Sequence, residues 1–314
     1  MYAWIIFIVI AQFLNAIVAL VDKYIVTKPR LPNPVVYAFY VNFLSSAALI
    51  VLFVGDFINP LIPESKHFSI PRFSELNIPS LGIILLCLIS GFVVLEALIF
   101  LFKAFRQADA SDVVPAVSAI TAITAFIISI FIFDTSLTIP LLIAFGLLVL
   151  GTALISHFRC TGRVFLLILG AGVLFAIQSI LLKVIFNNVN FSDGFFWTRV
   201  AGVMAALSLL SLRSVRSRVF SQTKSGGHRG GAWIIGNKTL AGVAGLLVLA
   251  AINIGDVAVI NALGGLQFVF LILFTAILGK RTPKEVGEEV EHAELVQKFV
   301  AVTLIVIGFF LLFQ

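Results

Sequence analysis

Charge is what this sequence has least of: 11% of its 314 residues are Asp, Glu, Lys or Arg, where an ordinary soluble domain carries roughly 25%. So few charges cannot solvate a globular surface, which excludes a water-soluble fold. Cysteine is scarce too. The only two, Cys87 and Cys160, rule out a disulfide framework and a Cys-rich metal site. His292 follows Glu288 at helical i, i+4 spacing, but no third ligand stands beside them, so no metal site is expected. The chain lacks a P-loop, a nucleophile elbow, a zinc-protease motif and a dinucleotide fingerprint. Neither enzymatic catalysis nor a cofactor is therefore expected, and ATP-driven work by this chain alone has no support. No nucleic-acid motif accompanies the net charge of +6, so nucleic acid is not expected as a partner.

What is abundant is apolar. Hydrophobic residues make up 61% of the chain and the mean hydropathy is +1.14. They come in blocks near the roughly 20 residues that cross a hydrocarbon core. Candidate spans fall at 3–27, 34–54, 81–106, 112–133, 137–157, 163–187, 192–212, 232–254, 257–279 and 295–313. Helix is the only conformation open to them, because lipid offers no partner to an unpaired backbone group and no alternating barrel pattern is present. The first block, 3–21, has no Lys or Arg before it and reads as a retained helix. The expectation is an all-α integral membrane protein of ten transmembrane helices.

Lys and Arg resist translocation and collect on the cytoplasmic side. Of the 21 basic residues, only Lys66 and Arg72 fall in loops of one side, while Lys28, Arg30, Arg106, Arg163, Arg213, Arg216 and most others fall on the opposite side. Both termini are thus expected to be extracytoplasmic, in a multi-pass protein of the plasma or inner membrane. Residues 213–238 read as a flexible basic loop attracted to anionic headgroups, making membrane lipid a partner. Residues 55–80, with Pro60, Pro63, Pro71 and Pro79, read as an external loop, and residues 282–298 as a short solvated helix.

The two halves can be laid over each other. Ala16 to Lys23 in the first span aligns with Ala176 to Lys183 in the sixth, placing a lysine at the same point in both. Phe39-Tyr40-Val41-Asn42 faces Phe196-Trp197-Thr198-Arg199, and Ala104 to Asp109 aligns with Ala251 to Asp256. The same register sets Asp134-Thr135 on Arg281-Thr282. Two repeats, 1–158 and 159–314, each with an odd number of spans, must enter the membrane from opposite faces and generate a pseudo-two-fold axis in its plane.

The order of these features resembles the EamA-type transporters of the drug/metabolite transporter superfamily. The resemblance rests on the Asp109-Ala110-Ser111-Asp112-Val113-Val114-Pro115 turn, its partner Gly255-Asp256-Val257-Ala258-Val259, the apolar helices ending at Asp134 and Gly279-Lys280, and Lys23 with Lys183. It implies two inverted five-helix repeats around a central cavity, lined chiefly by spans one to four and six to nine, that moves small organic solutes.

A charge inside a span is expensive, roughly 2.5–3.5 kcal/mol on insertion scales, and so is a functional candidate. Glu96, near the middle of the third span, is the candidate proton carrier, with a structural hydrogen bond as the alternative. Candidates for the substrate cavity are Gln12, Asn15, Tyr40, Asn42, Lys103, Gln178, Trp197, Arg199, Asn253, Asn261 and Gln267. Helix-to-helix hydrogen bonding competes for the amides; Arg199, beside Trp197, could bind an anionic group on a substrate, with interface anchoring as the alternative, and Lys103 could snorkel. Lys23, Lys183, Pro115, Gly264 and Gly265 are structural or gate candidates; for the two lysines, snorkelling to the headgroups, with Asp22 as a local partner, is the competing reading. The leading reading is a secondary transporter of small metabolites or drugs that works by alternating access, with protons as the candidate coupling ion. A flippase or membrane enzyme acting on a lipid-linked substrate is the alternative.

Overall fold

The computed structural model describes residues 3–27, 33–58, 70–108, 110–133, 138–155, 162–225, 228–278 and 292–311. Asp109, Asp134, Thr135, Lys280, Arg281, Glu288 and Cys160 lie outside them. The described chain is helical throughout, with no strand. Its helices are α1 (Ala3–Thr27), α2 (Pro34–Leu44), α3 (Ile50–Ile58), α4 (Leu81–Phe105), α5 (Ala110–Ile132), α6 (Ile139–Ile155), α7 (Gly162–Asn188), α8 (Phe191–Ser208), α9 (Arg213–Ser225), α10 (His228–Ile254), α11 (Val257–Ala262), α12 (Leu266–Leu278) and α13 (His292–Leu311).

Among the described residues, seven stretches are long and apolar enough to cross a membrane: α1, the unit from α2 to α3, α4, α5, α7, α8 with its 3-10 extension, and α10. Shorter apolar runs occupy Leu142–Leu154 of α6 and Val257–Leu271 across α11 and α12. Large apolar side chains point outward, among them Ile6, Ile50, Phe57, Phe131, Ile139 and Leu166. Water would reject such a surface and lipid accepts it. This is a multi-pass membrane protein.

Local chemistry sets where several helices begin. The Asn33 side chain accepts from the Val35 amide at 3.1 Å ahead of Pro34, whose missing N–H costs nothing at a helix start. Asn190 accepts from the Asp193 amide at 2.6 Å to open α8. Asp256 accepts from Ala258 and Val259 at 2.8 and 3.1 Å to open α11.

Small residues bring the helices together, as they must where lipid is as apolar as the core. Gly91 of α4 lies against α8 so closely that a Cβ there would sit 2.5 Å from the carbonyl oxygen of Ala201. The α6–α13 contact is similar on both sides. A Cβ at Gly151 would come within 2.8 Å of the Ala301 carbonyl, and one at Gly308 within 2.9 Å of the Ala144 carbonyl. The other long pairings are α1 along α10, α7 along α4, and α5 against α7 and α11.

Two features differ from the sequence expectation. The stretch 34–58 is not one uniform helix: a 3-10 segment, Ser45–Leu49, separates α2 from α3, and the Ser45 and Ser46 hydroxyls donate back to Asn42 and Phe43 carbonyls at 2.6 and 2.7 Å. Such back-bonding bends helices. The basic segment 213–238 is not a flexible loop. It forms α9 and the first turns of α10, with Val215 and Val219 buried against Val36, Phe39 and Ala206 while Arg213 and Arg216 are exposed.

Residues 70–80 fold back onto the bundle. Arg72 donates its amide to Ser192 Oγ at 3.0 Å, the Asn77 amide donates to Asp193 Oδ1 at 2.6 Å, and Phe73 stacks on Phe53 at 5.1 Å.

Candidate functional site

A cavity of about 380 Å³ lies between α1, α4, α5, α7, α10 and the α11–α12 unit, with Val41 supplied by α2. That volume lies within the ~300–1,000 Å³ usual for small-molecule sites. Most of the wall is apolar, from Ile8, Val18, Leu98, Leu101, Phe175 and Leu182 among others. The polar positions are Gln12, Asn15, Asp22, Ser118, Thr121, Gln178, Ser179, Lys238, Asn261 and Gln267. An apolar wall with a few fixed polar groups excludes water and orients a solute.

The wall amides are pre-positioned by their neighbours. Gln178 and Ser90 exchange hydrogen bonds at 2.9 and 3.1 Å between α7 and α4. Ser179 Oγ donates to Asn261 Oδ1 at 3.0 Å, and Asn261 Nδ2 donates to the Val257 carbonyl at 2.7 Å. Gln267 Nε2 donates to the Asn15 carbonyl at 3.1 Å, joining α12 to α1. Between α11 and α12 the helix tightens into a 3-10 turn, Leu263–Gly265. There Gly264 faces Ser118 across the cavity wall and Gly265 sits against Thr152 Oγ1 with no room for a Cβ.

One region of the wall holds a buried ionic network. Asp22 Oδ1 accepts from Lys238 Nζ at 2.7 Å, from Asn237 Nδ2 at 2.6 Å and from the Tyr37 hydroxyl at 2.5 Å. The Asp22 and Lys238 side chains are only 9% and 6% exposed, and Lys238 lies 4.9 Å over the Tyr37 ring. Three hydrogen bonds to one carboxylate oxygen offset the desolvation that makes a bare buried ion pair unfavourable. The network ties α1, α2 and α10 together.

The two aligned lysines do the same work in different places. Lys23 Nζ donates to the carbonyls of Phe105 and Ala108 at 2.8 and 2.6 Å, beyond the end of α4. Lys183 Nζ donates to the carbonyls of Ile252, Asn253 and Gly255 at 3.0, 3.1 and 2.9 Å, at the end of α10. Each ammonium satisfies the orphan carbonyls and the partial negative charge of a helix C-terminus. Neither snorkels.

Of the residues expected in the cavity, Gln12, Asn15, Gln178, Asn261 and Gln267 line it and the others do not. Tyr40 donates to the Val219 carbonyl at 3.2 Å and fastens α9. Asn42 donates to the Gly202 carbonyl at 3.0 Å, joining α2 to α8. Trp197 Nε1 donates to the Asn77 carbonyl at 3.0 Å and holds the 70–80 segment. Lys103 sits 5.7 Å from the Phe100 ring on its own helix, and Asn253 lends only its carbonyl, to Lys183. Glu96 is exposed on the outer face of α4, while Leu98 and Leu101 of the same helix face the cavity. Pro115 is carried inside α5, which runs on through it. Arg199 of α8 lies outside the cavity lining, its guanidinium 5.5 Å from the Phe195 ring and its Nη2 facing Gly245 of α10.

The acid–base pair of the wall was hidden in the sequence. Asp22 read as a partner for its neighbour Lys23, and Lys238 as the end of a basic loop. The available signal was that Lys238 falls inside the apolar block 232–254.

No family model matches the chain, and no curated protein matches it. Solved structures do: 27 chains match, so the architecture is a recurrent one. One of them, described only as a protein crystal structure, superposes with a TM-score of 0.62 at 14% identity over 96% of this chain and 94% of that chain. The likeness covers nearly the whole of both molecules and speaks to the fold alone.

Proposed function

We propose that the chain is a secondary transporter of small organic solutes, built as ten membrane spans in two inverted five-helix repeats, 1–158 and 159–314, of the EamA type. The observation that carries the reading is the largely apolar cavity with amides fixed on its wall, to which both halves contribute. Two correspondences between the halves support the inverted arrangement. Lys23 closes the end of α4 as Lys183 closes the end of α10, and α1 packs on α10 as α7 packs on α4. Helices α6 and α13, fifth in each half, pack on one another and contribute nothing to the cavity wall among the described residues. Such halves can rock about a shared site, which is what alternating access requires.

The position of Glu96 moves the coupling assignment. A proton carrier must meet the cavity as it opens, and the acid that does so is Asp22, held by Lys238. Protonation of Asp22 would release the ammonium and loosen the joint between α1 and α10. In proteoliposomes under an imposed pH gradient, uptake of a substrate found by a thermal-shift screen of amino acids, nucleotides, sugars and cationic drugs is expected to survive Glu96→Gln. It is expected to lose its pH dependence in the charge-neutral double variant Asp22→Asn with Lys238→Gln, which leaves no buried ion unpaired. Ser118→Phe, which fills the cavity, should abolish uptake in a folded protein. Full uptake by the filled variant would remove the transport reading, and retained coupling in the double variant would remove Asp22 from the mechanism.

A further inference from the structure

Arg199 is a charge deep in a span to which the described residues give neither a carboxylate nor a carbonyl. It stands ~12 Å along the helix axis from the start of α8 at Phe191 and ~18 Å from Ser211, so its side chain cannot reach a headgroup on either side. Its Nε is fully enclosed and makes no hydrogen bond among the described residues. Its one contact with a partner is the face of Phe195, 5.5 Å away on its own helix. Lys23 and Lys183 have carbonyls, and Lys238 has Asp22. Arg199 has neither.

The guanidinium also has a defined neighbour across the gap. A Cβ built on Gly245 of α10 would lie 3.5 Å from Arg199 Nη2. On α10 the cavity is lined by Lys238, Ala241, Val248 and Ile252. At ~100° per residue these fall within an arc of ~80°, and Gly245 lies inside it. Arg199 therefore covers the cavity-facing side of α10, at the one position there whose missing side chain leaves it space. The charge account points the same way: Asp22 and Lys238 cancel on the wall, and Arg199, beside it, has no counter-ion among the described residues.

We propose that Arg199, over Gly245, is the anion subsite of the cavity, and that the transported solute carries an oxyanion, a carboxylate or a phosphate. The planar guanidinium fork suits two oxygens of such a group, and a half-buried unpaired cation recovers through a ligand what it loses by desolvation. The solute's remaining surface would meet the apolar wall and the amides Gln12, Asn15, Gln178 and Gln267. The depth of Arg199 favours a soluble solute over a lipid headgroup as the source of the anion. This inference rests on the transport reading and narrows its substrate class.

The test uses the full chain in nanodiscs of zwitterionic lipid. Succinate, glutamate, glucose 6-phosphate and uridine monophosphate would each be compared with an uncharged or less charged counterpart: succinamide, glutamine, glucose and uridine. Melting and titration calorimetry are read at constant ionic strength. The expected result is that the more anionic member of at least one pair binds the native protein at least roughly tenfold more tightly. Arg199→Gln should bring its affinity down to that of its counterpart, and Arg199→Lys should restore part of the difference. Arg199→Gln removes a half-buried charge, so its own melting is expected to hold or rise, keeping the comparison free of misfolding. Equal binding of both members overturns the anion subsite and leaves the transport reading standing. Silence of every compound overturns the subsite and removes the ligand-binding support for transport as well. Discrimination unchanged by Arg199→Gln assigns the anion to another group. A stabilisation that depends on Arg199 but appears only when phosphatidylglycerol is added gives the site to a lipid, against the proposal.

Discussion

A lysine ammonium within an apolar span normally reaches for the headgroups, but Lys23 and Lys183 turn inward to carbonyls that would otherwise face lipid or core without a donor. Leaving such acceptors buried and unmatched costs about 1–3 kcal/mol. Lys23→Met and Lys183→Met keep the stem and remove the donors, so each is expected to lower stability by about that amount. Lys103→Met is the control, because that ammonium meets only the Phe100 ring on its own helix, and little loss is expected. Melting of the three purified variants in one detergent checks this; equal behaviour of Lys23→Met and Lys103→Met would show that the cap contributes nothing. The alignment of the two lysines was visible in the sequence, but their partners were not, since Phe105 and Ile252 offer only backbone and backbone carries no sequence signal. The same blindness misplaced Glu96. Hydropathy marks depth in the membrane and says nothing of which face of a helix meets the cavity, and Leu95, Glu96 and Ala97 point in three directions.

At the scale of elements, the long spans were legible because lipid permits one solution to the backbone problem and hydrophobic length measures it directly. What escaped was amphipathic or broken. The Ser45–Leu49 tightening depends on two serine back-bonds, and a Ser-Ser pair between apolar runs does not announce a 3-10 turn. Helix α9 carries too many arginines to register as apolar, yet Val215 and Val219, one turn apart, seat it under α2. Arg213 and Arg216 are exposed, together with Phe220 at 59% and Leu212 at 54%. This pairing of basic and apolar side chains suits a helix lying in the headgroup layer. With Cys87 and Cys160 replaced by serine, Ser217→Cys should react with a membrane-impermeant maleimide from the side bearing the basic loops. Val219→Cys should react at least roughly tenfold more slowly, because the folded state protects it and only local opening exposes it. Comparable rates at the two positions would return this segment to the flexible loop expected from its composition.

On the scale of the whole molecule, the strongest pairings cross the midpoint of the chain. Helix α1 lies along α10, α4 along α7 and α8, and α6 along α13, while the cavity draws its wall from both halves. Each half alone would present to lipid the faces that carry Asp22 and Lys238, together with Asn42, Ser90 and Gln178, whose partners lie in the other half, and unpaired polar groups in hydrocarbon are costly. The halves are therefore incomplete as folding units. Cutting the chain after residue 158, in the link between α6 and α7, should give two fragments that are each degraded or aggregated when produced alone. Produced together, they should co-purify as one complex, since the cut breaks a connection and none of the cross-half contacts. Melting within a few degrees of the intact chain would follow from the modest entropy of one opened loop. If 1–158 instead accumulates alone as a stable monodisperse species, the half is a unit in its own right, and the pairings of α1 with α10 and α4 with α7 are dispensable contacts instead of the joint that holds the cavity closed.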